Sequence, residues 1–136
     1  MRRLLWLAVF ACLVAVPAMA QDPVKVDPKH YKVVFENDQV RVLHIHYGPH
    51  EKSVMHEHPN GVVTFLADER GKFTFPDGKS EEFVAKAGES QWIAGGKHLP
   101  ENTGNTPLDG VLVELKGKMA AKPAAKAPPA AKKKGS

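Results

Sequence analysis

Val40-Arg41-Val42-Leu43-His44-Ile45-His46-Tyr47, closed by Gly48-Pro49, alternates between two sets of residues. One set is Val40, Val42, His44 and His46; the other is Arg41, Leu43, Ile45 and Tyr47. A period of two belongs to a strand, whose successive side chains leave on opposite faces, whereas a helix repeats about every 3.6 residues. Outward from this stretch the same short runs recur. Val33-Val34-Phe35 ends at Asn37-Asp38. Downstream lie His56-Glu57-His58, Val62 to Ala67, Phe73-Thr74-Phe75, Glu82 to Ala85, Gln91 to Ile93 and Val111 to Leu115, with breaks at Gly71, Gly88 and Gly95-Gly96. Phe75-Pro76-Asp77-Gly78-Lys79 has the chemistry of a hairpin turn, with proline presetting φ and glycine free to take φ > 0. Together these give about eight strands, spaced roughly 8–12 residues apart, with no helical period between them. That spacing predicts an all-β domain closed as a barrel, sandwich or jelly roll.

The termini differ in kind. Arg2-Arg3, the apolar run Leu4 to Val16 and Ala18-Met19-Ala20 form the three parts of a secretory signal, predicted to end at residue 20. The apolar run falls short of the ~20 residues that span a bilayer. Residues 21–30 read as an N-terminal arm, 31–116 as the barrel domain and 117–136 as an Ala/Pro/Lys-rich tail. Such a tail has too little apolar surface to offset the entropy of ordering it, so disorder is expected there. Its lysines serve solubility or a weak attachment to an anionic envelope surface. The protein is accordingly expected in the periplasm or outside the cell.

The formal charge of +4 conceals a split. From Asp22 to Lys116 there are eleven Lys and Arg against fifteen Asp and Glu, a balance of −4, while six lysines follow Gly117. A mildly acidic domain excludes the basic face that nucleic-acid binding requires. The single cysteine, Cys12, lies in the leader, so the remainder has no disulfide, thiolate ligand or thiol nucleophile.

Seven histidines concentrate the chemistry. On a strand His56 and His58 share a face, about 6.5 Å apart along the chain, close enough for two imidazoles to reach one metal ion. Pro59 supports the extended geometry, and Glu57 points the other way. His98, after Gly95-Gly96 and four residues before Asn102, supplies a third imidazole if its strand lies beside the first. Three histidines with open positions make a reactive metal site, whereas a structural site is closed. His44, His46, Val62, Val63, Gln91, Trp92 and Asn102 are candidates for the surrounding pocket. His30 and His50 fall in predicted loops, solvated.

In this arrangement the residues resemble the cupin superfamily. Its first motif is matched by Gly48, His56, His58 and Gly71, and its second by Gly88 through Gly95-Gly96 to His98, followed by Asn102. The resemblance covers about Tyr31 to Lys116 and is closest to small single-domain cupins. It implies a six- to eight-stranded cupin-type β-barrel or jelly roll, often a homodimer. The family's glutamate ligand has no counterpart, because Gly61, Val62 and Val63 occupy its positions. What carries over is a three-histidine site on His56, His58 and His98. A neutral nitrogen set of this kind favours divalent iron, zinc, nickel or copper over manganese.

Three functions follow in order of preference. The first is a module that binds a divalent metal and a small ligand without turnover. The second is a metal-dependent, dioxygenase-like enzyme acting on a small molecule. The third is a metal-free scaffold barrel.

Overall fold

A computed structural model describes residues 21–117. The predicted signal segment and nearly all of the predicted tail lie outside the described residues. One turn of helix, α1 (Pro23–Val26), is followed by nine strands. These are β1 (Tyr31–Glu36), β2 (Val40–Tyr47), β3 (His56–His58), β4 (Gly61–Phe65), β5 (Glu69–Thr74), β6 (Ser80–Ala85), β7 (Ser90–Ile93), β8 (Gly96–Asn102) and β9 (Leu108–Leu115).

The strands form two sheets, one ordered β1-β2-β9-β4-β7 and the other β3-β8-β5-β6. All strand pairs are antiparallel. The all-β architecture is the expected one, with one strand more than the sequence suggests. β8 is the element hardest to read, since it opens on a glycine and contains Pro100, which cannot donate to a ladder. Pro100 nonetheless pairs with Phe73, and its carbonyl accepts the amide of Ser53 at 2.9 Å.

Alternation along β2 and β9 decides which face is inside. Leu43, Ile45 and Tyr47 are buried from β2, and Leu108 and Leu112 from β9. With Tyr31, Val63, Phe65 and Ala85 they form the core between the sheets. Each large side chain fully buried there contributes about 1.5–3 kcal/mol relative to exposure. The hairpin between β5 and β6 is where the sequence placed it, with the Phe75 amide bonded to Lys79 O at 2.9 Å and Gly78 at φ 83°. Gly71 is required by packing: a Cβ there would stand 2.5 Å from the Phe83 ring. Trp92, a candidate for the pocket, is instead 55% exposed, because Gln91 and Ile93 take the inward positions of β7.

Candidate metal centre

β3 and β8 are neighbours in register, with His56 directly opposite His98 and His58 opposite Gly96. Opposed residues of an antiparallel pair point to the same side, so the strand pairing delivers all three rings to one interior point. His56 is fully buried, His58 nearly so and His98 partly. One ligand atom from each lies within 4.8 Å of the others. The Nε2 atoms of His56 and His58 are 3.0 Å apart.

Hydrogen bonds fix which ring nitrogens face that point. His58 Nδ1 donates to Glu114 Oε1 at 2.6 Å. His56 Nδ1 donates to the Val54 carbonyl at 2.8 Å, with Ser53 Oγ at 3.3 Å. With both protons on Nδ1, two Nε2 lone pairs meet at 3.0 Å, an arrangement that either a shared proton or a metal ion relieves. The separation suits a shared ion, since metal–nitrogen bonds of about 2.0–2.1 Å place adjacent ligands about 3.0–3.4 Å apart. Burial, followed by the neighbouring His58, pushes His56 down to about 4, and the same causes with His56 added push His98 down to about 3. Both rings are therefore neutral at neutral pH and free to donate lone pairs. His98 is held by stacking on Phe73, with ring centres 4.8 Å apart. The donor set fits a divalent transition metal.

Two hydrogen-bonded chains run outward from the pair, and neither was read from the sequence. Glu114, buried on β9, also accepts from Arg41 Nε at 2.6 Å, and Arg41 in turn reaches Asp22 Oδ2 at 2.6 Å. Burial alone would raise the Glu114 carboxyl, but His58 and Arg41 hold it below its ordinary value. The second chain passes from Ser53, which donates to Asp27, to His30, whose Nδ1 bonds Asp27 Oδ2 at 2.7 Å. His30 was expected in solvent. It is instead 6% exposed and stacks on Tyr47 with ring centres 4.2 Å apart. One sequence signal did exist. Arg41 and Glu114 are lone charges on the inward sets of β2 and β9, which no solvated face explains.

The predicted pocket residues divide. Val63 and Gln91 line a cavity of about 70 Å³ that His58 and His98 also face, walled by Ile45, Phe65, Ile93 and Leu112. His44 and His46 are on the outer sheet face, bonded to the two oxygens of Asp109 at 2.6 and 2.9 Å, because Leu43, Ile45 and Tyr47 take the inward positions. Val62 and Trp92 point outward for the same reason. Asn102 is buried but binds backbone, donating to Gly48 O and Thr106 O and accepting the Gly104 amide. Gly61, at the position of the missing glutamate, pairs in register with Glu114, whose carboxylate approaches the centre as a partner of His58.

Two antiparallel sheets closed over a buried three-histidine cluster define an all-β barrel with a candidate metal centre. The fold is that of the cupin superfamily. A cupin domain from Bordetella pertussis Tohama I superposes with a TM-score of 0.60 at 24% identity, covering 64% of this chain and 92% of that one. A double-stranded β-helix protein from Klebsiella pneumoniae subsp. pneumoniae MGH 78578 gives 0.52 at 23% identity, covering 65% and 76%. An RmlC-like cupin from Methanocaldococcus jannaschii gives 0.52 at 16% identity, covering 63% and 78%. No family model matches the chain, and no curated protein matches it significantly in sequence.

Proposed function

We propose that this protein binds one divalent transition metal through His56, His58 and His98 and holds a small, largely apolar ligand in the adjoining cavity. The observation that carries the reading is the convergence of the three imidazoles, two of them with lone pairs directed at each other. Iron, zinc, nickel and copper suit an all-nitrogen set. When bound, the metal would supply a Lewis-acidic centre at the cavity wall for the polar end of a ligand. The walls select the remainder: Ile45, Val63, Phe65 and Leu112 suit an apolar body, Glu69 adds one carboxyl to the lining, and a cavity of about 70 Å³ takes a molecule of a few heavy atoms. Gln91 is a neutral polar side chain on the same wall. Binding is favoured over turnover because Glu114, the carboxylate bonded to the histidine cluster, is fully engaged by His58 and Arg41. With the leader read as a cleaved signal, the module would work in the periplasm or outside the cell.

Metal analysis of the purified chain by inductively coupled plasma mass spectrometry tests the reading. A single metal ion per chain, lost on His56→Ala with His58→Ala, is the expected result. Chain that stays empty after equilibration with each of the four metals overturns it.

A further inference from the structure

Glu69 stands apart in the lining of the cavity. It opens β5, is 5% exposed, and shares its part of the wall with Phe65, Leu108 and Gly110. Its Oε1 accepts the Asp109 amide at 2.6 Å, whereas its Oε2 has no partner. Among the described residues, Oε2 is the one buried side-chain nitrogen or oxygen without a hydrogen bond. A buried acceptor left unpaired has given up its hydration without return, so it points to a donor brought from outside. The wall does not supply one: Tyr31 and Tyr47 bond to each other at 2.8 Å, and His58 is taken by Glu114. No lysine or arginine stands among the described residues that line the cavity.

The carboxyl marks the end of the cavity away from the histidines. Glu69 and Phe73 share the inward face of β5, four positions and about 13 Å apart along the strand. Phe73 is the ring on which His98 stacks. The opposite sheet repeats the spacing, since Asp109, whose amide holds Glu69, and Glu114, which holds His58, stand at the two ends of β9. Between these ends the walls are Ile45, Val63, Phe83 and Leu112. On its other side Glu69 borders an outer basin of about 400 Å³, with Asp68, Arg70, Lys86 and Thr103 around it. It is the residue that cavity and basin have in common. The charge balance selects the donor. With the Asp109 charge close by and no cation in the cavity wall, the field at Oε2 is negative and favours a charged donor over a neutral one. An aliphatic ammonium offers N–H groups to Oε2 and an apolar chain to the walls.

We propose that Glu69 Oε2 receives the protonated primary amine of a short aliphatic ligand whose far end faces the histidine centre. This rests on the cavity being a ligand site, as proposed above, and not on the metal. The test is titration of chelator-treated protein at neutral pH with n-butylamine, 1-butanol and butyrate. Chelation removes any binding of the amine through a metal, and the methyl NMR shifts of Ile45, Val63 and Leu112 locate the probe. The amine should bind about tenfold more tightly than the alcohol, and butyrate should not bind. The isosteric Glu69→Gln should lose about tenfold for the amine and keep the alcohol within about twofold. An amine no tighter than the alcohol, or an amine affinity unchanged in Glu69→Gln, overturns the proposal and leaves the ligand site standing. If none of the probes shifts those methyls, both readings fall. Should Glu69→Gln fail to fold, the comparison of amine with alcohol in the parent protein carries the test. Metal content of the untreated protein reports on the histidine centre separately.

Discussion

At the scale of single residues the informative groups are buried carboxylates. Glu114 joins His58 to Arg41, and truncating it leaves the buried His58 Nδ1 without its acceptor and the half-buried guanidinium with Asp22 alone. Removing one member of a buried pair costs about 3–5 kcal/mol, and losing a ligand's hydrogen-bond partner lowers metal affinity about 10–100-fold. Glu114→Ala should show both, by denaturant titration and by competition with a chromogenic chelator; Glu114→Gln, which keeps an acceptor for His58 Nδ1, should lose less affinity. Glu69 is a different case. It is 5% exposed, one oxygen accepts the Asp109 amide at 2.6 Å, and the other has no partner. Burial, with the Asp109 charge adding to it against that one hydrogen bond, pushes its carboxyl up to about 7. A raised carboxyl pKa means that the folded state holds a proton the unfolded state has released. The stabilisation is then complete below the ordinary carboxylate range and is lost as pH rises to about 7. Glu69→Gln should flatten that fall and be the more stable form at pH 8, by up to roughly 3 kcal/mol. Identical pH profiles for the two proteins would refute this reading.

At the scale of elements, the N-terminal arm turns out to belong to the site. α1 and the residues around it supply Asp22, Asp27 and His30, which end both hydrogen-bonded chains from the histidine pair. The arm is also tied to β3 directly, by the Glu57 amide to Gln21 O at 3.0 Å. Deleting residues 21–29 should therefore weaken metal binding about 10–100-fold without removing any ligand, and Asp27→Ala should reproduce part of the loss in the same chelator competition. Unchanged affinity in both would reduce the arm to a passive cover. Nothing in the arm's sequence announced this, because α1 is one turn long and its polar side chains act through partners 19 to 26 positions away. β2, by contrast, was legible to the residue: strict alternation fixes the strand and its bounds, though not which of its two faces is buried. β8 was not, since the glycine before it and Pro100 within it are strand-breaking signals that its two neighbours, β3 and β5, override. That the strand of His98 could lie beside that of His56 and His58 was read from the sequence; the register that sets His56 opposite His98 was not. The error over His44 and His46 has one cause. Alternation says that they share a face but not which face, and here the larger apolar set of Leu43, Ile45 and Tyr47 takes the core.

At the scale of the whole molecule, the barrel and its centre should be thermodynamically linked. The three rings come from two strands of the smaller sheet, while their supports come from the larger sheet and the arm. An ion held there joins parts that only the folded chain brings together, so it binds the native state and not the unfolded one. Free metal at 100 times its dissociation constant then adds about 2.7 kcal/mol to stability. For a domain of this size that raises the melting temperature by several degrees. Adding zinc or nickel to chelator-treated protein should give this rise, and His98→Ala should abolish most of it while leaving the metal-free melting temperature near that of the parent, since His98 is the least buried of the three. A melting temperature indifferent to metal would mean that the two lone pairs are reconciled by a proton instead of an ion. The cluster would then be a buried polar network of the barrel, with no metal function.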